Sequence, residues 1–316
     1  MSRIRIRHTT GYRYEQPAVA SYNESRMLPS TSDGQFVIYS NLDIRPNTSV
    51  NTYEDYWGTT VVSFDVLAPH TELQLTATSL VEVRPRLMGG RDLSWEQLEK
   101  VAQRATQYVE QLGQTVRTRP TDDLVQAARE IADASETPGT AAAAIARMVG
   151  EQMEYMSGVT HVHTLASEAW PNRKGVCQDI AHITIGALRA VGIPARYVSG
   201  YLHPKPDAQI GETIRGESHA WLEWFTGEWN AWDPTNLIDI GERHVKVGLG
   251  RDYNDVPPSR GVYKGDSESD LFVAVSVGRA KSALIEPELR RASRAPTPAD
   301  RRRELNLMRE QQQQQQ

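Results

Sequence analysis

The sequence predicts an α+β protein in which a helical lobe packs on an antiparallel β-sheet and a small all-β sandwich domain precedes this core. Two changes of pattern along the chain predict this fold class. Apolar residues alternate up to about residue 85 and take a helical period after about residue 90, and beyond residue 175 a helix is followed by strands. We therefore expect an N-terminal β-sandwich-like domain at 1–88, an α+β core at 89–278 and a charged, glutamine-rich tail at 279–316.

The N-terminal region has the period of two that is typical of half-buried strands. It opens with Arg3-Ile4-Arg5-Ile6, in which charged and apolar side chains alternate. Strands are predicted at 3–6, 36–39, 61–66, 72–77 and 80–83, with turn-rich segments between them. Several short strands punctuated in this way favour a sandwich or a barrel.

Residues 84–90 contain a proline and two adjacent glycines, and they predict a linker. Ser94 and Gln97 then have capping-box spacing, and apolar residues at helical spacing predict a helix over 95–112. Two more helices are predicted near 122–134 and 140–154. The tail from residue 279 loses apolar periodicity, contains an arginine cluster at 301–303 and ends in glutamines at 311–316, a composition typical of disorder.

The composition argues against nucleic acid or a membrane as a partner. The formal net charge is -5, which gives no attraction to phosphate backbones or anionic lipid surfaces. No stretch resembles a signal peptide or a membrane span, and the chain has a single cysteine. We expect a cytoplasmic protein, because secreted domains of this size usually carry paired cysteines. The oligomeric state is not predicted.

Cys177 is predicted to lie in the first turn of a helix. Ile180, Thr184 and Leu188 continue one apolar stripe from it, Gly175 permits a sharp entry, and Gly192 with the following proline supplies the stop. The positive end of a helix stabilises a thiolate, and its free N–H groups can hold an oxyanion. Taken alone, a lone cysteine is more often a small buried apolar residue.

A β-hairpin is predicted to place His219 against Asp233. The sequence favours strands at 195–202, 219–225 and 228–233, with a turn at Thr226-Gly227. In the register that pairs Trp224 with Glu228, His219 lies directly opposite Asp233, within hydrogen-bond reach. A shift of one residue would put the two side chains on opposite faces. The four tryptophans of this hairpin are mostly expected to pack in the core.

Three ordered motifs in this region resemble the transglutaminase-like superfamily, in particular its bacterial cysteine-protease branch. They are Gly175-Val176-Cys177-Gln178-Asp179, Ser218-His219-Ala220-Trp221 and Trp232-Asp233-Pro234-Thr235. The segment Gly192-Ile193-Pro194-Ala195-Arg196-Tyr197 matches as well. The N-terminal section resembles the β-domain that precedes the core in that branch, so the resemblance covers about residues 1–278.

The resemblance implies a papain/transglutaminase-like core and a cysteine protease or amidase that needs no cofactor or metal. Cys177 would be the nucleophile, His219 the general base and then acid, and Asp233 the group that orients the imidazole. The substrate would be a peptide or a protein. A second oxyanion donor could be Tyr155 or Trp170, and no motif decides between them. The same triad could instead transfer the acyl group to an amine, although no calcium loop of the EF-hand type is present.

Two alternatives come from other classes. A metal-dependent hydrolase could use nitrogen and oxygen ligands, but no complete set with known spacing is present. Its candidate ligands are His161, His163, Asp179, His182 and His203. A non-catalytic module that keeps the fold is the other alternative, although no member of the expected triad is missing.

Overall fold

The N-terminal region consists of long antiparallel strands. The structure, a computed structural model, describes residues 2–32, 34–84, 92–104, 106–266 and 268–280. The strands of this region are β1 (Ser2–Ala18), β2 (Ala20–Ser25), β3 (Gln35–Arg45), β4 (Val50–Glu54), β5 (Thr60–Val66) and β6 (His70–Val83). Ile4 and Ile6 are buried while Arg5 between them is less so, as the alternation predicts.

Each predicted N-terminal strand is present, but the predicted segments are shorter than β1, β3 and β6, and β2 and β4 were missed. The segments 72–77 and 80–83 belong to one strand, β6, because Thr78 and Ser79 continue the backbone pairing with β1, opposite Arg7 and Ile6. β4 is exposed along its whole length and β2 is mostly polar, so neither has the apolar alternation that identifies a strand in a sequence.

These strands form two sheets with a common apolar core. Strands from later in the chain join them: β10 (Thr213–Gly216), β15 (Ser259–Lys264) and β16 (Ser269–Arg279). One sheet has the order β10-β16-β1-β6-β3 and the other the order β15-β2-β5-β4. Leu73 and Leu75 from the first sheet pack against Phe64 and Val66 from the second.

The domain boundaries at 88 and 278 stay predictions, and strand pairing adds one fact to them. β15 and β16 pair with β2 and β1, so the sandwich is built from both ends of the described chain rather than from residues 1–88 alone. The linker predicted at 84–90 lies outside the described residues apart from Arg84, and so does the tail beyond residue 280.

A helical lobe follows the first strands. Its helices are α1 (Trp95–Arg104), α2 (Val109–Leu112), α3 (Asp122–Asp133), α4 (Pro138–Gln152), α5 (Ala166–Asn172) and α6 (Cys177–Ala190), with the two-residue strands β7 (Glu154–Tyr155) and β8 (Lys174–Gly175). The capping box of Ser94 and Gln97 is present, with both reciprocal hydrogen bonds. The single helix predicted over 95–112 was wrong, because α1 ends at Arg104 and a 3₁₀ turn at Thr106–Tyr108 precedes α2. None of the helices in the described part is long and apolar enough to cross a bilayer.

Helix α6 is the centre of this lobe. It was predicted to bury one stripe, yet every residue from Gln178 to Arg189 is buried. The reason is that α3, α4 and α5 pack on one side of α6 and the strands β9 (Ala195–Leu202) and β11 (Ser218–Phe225) pack on the other. Gly192 ends the helix region with a φ of 79°, a conformation that glycine adopts without strain.

The core sheet contains β9 and β11 together with β12 (Trp229–Asp233), β13 (Ile238–Asp239) and β14 (His244–Gly250). Its strand order is β13-β12-β11-β9-β14. Tyr201, Val245 and Val247 from this sheet pack against Ile4 and Ile6 of β1, so the core sheet and the sandwich share a buried face.

Arg189 fixes the loops around the end of α6. Its guanidinium is buried and donates to the carbonyls of Gln111, Gly113, Ala195 and Arg251. Carbonyl oxygens from four segments converge on one cation, which satisfies groups that would otherwise be buried without partners.

His8 makes the folded state sensitive to acid. It is 2% exposed, its Nδ1 lies 2.9 Å from the Tyr201 hydroxyl, and burial lowers its pKa to about 4. Because the unfolded chain protonates this ring near pH 6.5 and the folded chain only near pH 4, the stability falls as the pH decreases between these values.

We expect His8 to account for about 2 kcal/mol of the stability lost between pH 7 and pH 5. Urea unfolding of the wild type and of His8→Asn at both pH values measures this. The variant keeps a polar group near the Nδ1 position but cannot titrate. An equal pH dependence in the two proteins would contradict the assignment.

Candidate active site

Cys177 is the first residue of α6, and the loop that leads into the helix is held in place. The Asp179 carboxylate accepts the N–H of Val176 at 2.8 Å and the Thr160 hydroxyl at 2.7 Å. A Cβ at Gly175 would lie 2.8 Å from Oδ2 of Asp179, so only glycine fits there. The predicted position of the cysteine in the first helical turn is the observed one.

The start of this helix supplies a positive electrostatic environment. The N–H groups of Cys177 and Gln178 lie in the first turn and have no acceptor within the helix. They add to the partial positive charge of the helix end, which favours a thiolate and can hold an oxyanion. The cysteine side chain is partly buried against the core rather than enclosed in it.

The hairpin of β11 and β12 brings His219 to Asp233, in a different register from the predicted one. Trp224 pairs with Asn230, two residues beyond the predicted partner, and the turn is formed by residues 226–228. A shift of two preserves the face, so the side chains of His219 and Asp233 meet along a diagonal instead of directly across. Nε2 of His219 lies 2.7 Å from Oδ2 of Asp233.

The His219 imidazole interacts with the thiol as well as with the carboxylate. Its side chain is 10% exposed, forms a hydrogen bond with Asp233 and lies close enough to Cys177 for the thiol to affect the pKa of the ring. Burial alone would lower the pKa of His219, but the hydrogen bond with Asp233 and the interaction with Cys177 raise it well above its ordinary value. A raised pKa favours the protonated ring, which is the form that an ion pair with a thiolate would require.

Asp233 is a buried carboxylate surrounded by donors. The residue is 0% exposed, and Oδ1 accepts the N–H groups of Thr235 and Asn236 at 3.0 and 3.2 Å. Oδ2 accepts from His219, from Asn236 Nδ2 at 2.8 Å and from His244 Nε2 at 3.4 Å. Burial opposes ionisation, but the hydrogen bonds from His219 and His244 hold the pKa of Asp233 well below its usual range.

Asn236 and His244 are site residues that the sequence reasoning missed. Asn236 lies three residues after Asp233 in a polar turn, and that spacing could have suggested a second contact with the carboxylate. His244 starts β14, which pairs with β9 and not with the hairpin, so no local pattern connects it to Asp233.

Cys177 and His219 line a cleft of about 770 Å³, and Asp233 lies buried behind His219. The helical lobe contributes Tyr155, Val162 and Gln178 to its wall, and the core sheet contributes residues 218–220. The segments 155–170 and 204–214 line it in part, through residues such as Tyr155 and Pro204. Residues 273–275 of β16 also line it, so the sandwich forms one wall of the cleft.

Of the two candidates for a second oxyanion donor, Tyr155 lies in the cleft and Trp170 does not line it. Trp170 is 2% exposed, and its Nε1 donates to Asp123 at 2.8 Å on the far side of the lobe core. Tyr155 donates its hydroxyl to Glu217 at 3.2 Å, and burial together with Cys177 and Glu217 raises its pKa to about 12. The hydroxyl therefore keeps its proton near the thiol.

The five metal-ligand candidates from the sequence do not form one site. His182 Nε2 accepts the Tyr253 N–H, and His203 Nδ1 lies against the Lys205 carbonyl. Among the residues that the structure describes, the imidazole and carboxylate atoms that cluster within 4.8 Å of one another belong to His219, Asp233 and His244. In that cluster both rings share one carboxylate oxygen through hydrogen bonds.

Comparison with known proteins assigns the chain to a protein family. Residues 4–82 match the family model described as the bacterial transglutaminase-like N-terminal region, and residues 125–234 match that of the transglutaminase-like superfamily. The fold is that of a cysteine-based hydrolase or acyltransferase. The chain belongs to the transglutaminase-like superfamily, which confirms the family and the α+β fold class predicted from the sequence.

Mycobacterial relatives match nearly the whole described chain. An uncharacterized protein of Mycobacterium leprae is 43% identical over 279 residues, which is 88% of this chain and 99% of that protein. An uncharacterized protein of Mycobacterium tuberculosis is 34% identical over 299 residues, covering 87% of this chain and 92% of its own length.

A solved structure has the same fold. The crystal structure of a candidate cysteine protease from Cytophaga hutchinsonii aligns with a TM-score of 0.70 and 21% sequence identity. The match covers 89% of this chain and 91% of that protein, so it includes the N-terminal strands as well as the core.

We expect His219→Ala to slow alkylation of Cys177 by iodoacetamide about tenfold or more at pH 7, because the variant loses the imidazolium that favours the thiolate. Intact-mass spectrometry over time gives the rate. His163→Ala is the matched control, since this ring contacts Arg117 rather than the thiol. Equal rates in His219→Ala and the wild type would rule out the ion pair.

Proposed function

We propose that this protein is a cysteine-dependent hydrolase of amide or peptide bonds that works through a thioester acyl-enzyme. The observation that supports the proposal most is that Cys177 and His219 line one cleft while the buried Asp233 accepts a hydrogen bond from His219. Cys177 is the proposed nucleophile, His219 the acid and base, and Asp233 the residue that orients the imidazole.

In the first half-reaction the Cys177 thiolate attacks the carbonyl carbon, and a tetrahedral oxyanion forms. We propose that the N–H of Cys177 stabilises it together with the Tyr155 hydroxyl, which turns its proton from Glu217 toward the oxyanion. The His219 imidazolium gives its proton to the leaving nitrogen, the carbon–nitrogen bond breaks, and the amine departs from a thioester.

In the second half-reaction water loses a proton to His219 and attacks the thioester carbonyl. The carbon–sulfur bond then breaks, the acid leaves, and the thiolate and imidazolium are restored. If a primary amine attacked in place of water, the product would be a new amide. The sequence has no calcium-loop pattern of the EF-hand type, so we place hydrolysis first.

A peptide or protein substrate suits the cleft, whose walls combine apolar and charged groups. Val162, Leu202 and Val273 provide apolar surface, and Arg215 and Glu217 lie at the same opening.

Location in the cytoplasm stays a prediction from the sequence.

We expect wild-type protein to release amine products from dye-labelled casein and Cys177→Ala to release none, because the variant has no nucleophile. A second arm adds dansylcadaverine. If dansylcadaverine is incorporated into casein and hydrolysis falls, transfer to amines is favoured. If hydrolysis is unchanged and no dansyl label is incorporated, the proposed hydrolysis is favoured. A Cys177→Ala variant with wild-type turnover would refute both.

Tyr155→Phe should lower kcat about a hundredfold with little change in KM, because one oxyanion donor is removed while the ring remains. Steady-state kinetics on the casein substrate measure this. Tyr56→Phe is a control, since Tyr56 is exposed in the N-terminal region and does not line the cleft. Equal losses in both variants, or none in either, would exclude the hydroxyl as a donor.

A further inference from the structure

His244 contacts the proposed triad from a strand that carries none of its members. It starts β14, at the far edge of the core sheet from β12. Its side chain is 1% exposed, and Nε2 lies 3.4 Å from Oδ2 of Asp233. The same oxygen accepts from His219 at 2.7 Å, so one carboxylate oxygen lies between two imidazoles.

The hydrogen bonds of His244 define its tautomer. Nδ1 lies 3.3 Å from the backbone nitrogen of Gly241, and a backbone N–H can only donate. Nδ1 is therefore the acceptor, and the proton of a neutral ring is on Nε2, which faces Asp233. Burial outweighs the pull of Asp233 and lowers the pKa of His244, which agrees with a neutral ring.

The other charged groups near His244 are engaged with other partners, and Asp233 is the charged group that its Nε2 contacts. Trp221 packs edge-to-face against the ring with centroids 5.4 Å apart. A small cavity of about 50 Å³ on its other side is lined by Glu223, Lys246 and Arg84. Glu223 contacts Lys246 and Arg196, and Arg84 contacts Glu82, so these charges are compensated among themselves. Arg243, the neighbour of His244 in the chain, donates to the carbonyls of His203 and Pro204.

We propose that His244 is a positioning residue that acts through Asp233: its Nε2–H holds Oδ2 in place and withdraws part of the negative charge that His219 would otherwise meet. A carboxylate that already accepts a hydrogen bond attracts a neighbouring cation less strongly. His244 thus limits how firmly His219 retains the proton that it must deliver to the leaving group. This inference deepens the proposed function and rests on it for its consequence in turnover.

The chain allows a matched pair of variants. In His244→Gln the terminal amide nitrogen can take the position of Nε2 and donate to Asp233. In His244→Asn the side-chain oxygen can take the position of Nδ1 and accept the Gly241 N–H, but no donor reaches Asp233.

The test follows the imidazole nitrogens of full-length ¹⁵N-labelled protein by NMR during a pH titration. We expect His244→Asn to move the His219 midpoint upward by about half a pH unit, and His244→Gln to keep the wild-type midpoint. In the turnover assay, kcat should fall in the asparagine variant and recover in the glutamine variant, with KM unchanged. A midpoint unchanged in folded His244→Asn would overturn the inference.

The wild-type spectrum decides the case even where a variant fails to fold. A neutral His244 with its proton on Nε2 agrees with the inference, and a proton on Nδ1 would overturn it. The NMR outcome does not depend on substrate. If the wild type proves inactive while the His219 midpoint still depends on His244, the proposed function fails and the inference about His244 holds.

Discussion

The arrangement of the site depends on keeping one buried carboxylate ionised. Asp233 has no exposed surface, and an uncompensated charge in such a place is costly. Its two oxygens accept from two backbone N–H groups, one amide and two imidazoles. These donors replace the water that Asp233 loses, and a carboxylate that stays ionised favours the protonated form of His219.

The two halves of the site come from elements with different mechanical roles. Cys177 starts a helix that is buried on all sides, so its sulfur has a rigid support. His219 and Asp233 lie on adjacent strands, whose pairing fixes the distance between them. Helix α6 packs directly on β11, so the element that carries the thiol and the element that carries the imidazole are in contact.

The sandwich also belongs to the site. Ile4 and Ile6 pack against Val245 and Val247 of β14, the strand that carries His244. On another side, residues 273–275 of β16 line the cleft. The sandwich therefore supports the sheet that carries His219 and Asp233, and its strand β16 lines the cleft.

The sequence by itself determined the helix that starts at Cys177 and the face on which His219 and Asp233 meet. Both follow from local periods, 3.6 for the helix and 2 for the strands, which are visible in neighbouring residues. The predicted register was wrong by two positions, but a shift of two keeps each side chain on its face, so both side chains were still placed on one face. Only the tertiary structure decided that His244 reaches Asp233, that Tyr155 rather than Trp170 enters the cleft and that β16 closes one wall. These contacts join strands and loops far apart in the chain, and a long-range pairing leaves no period in the sequence around either partner.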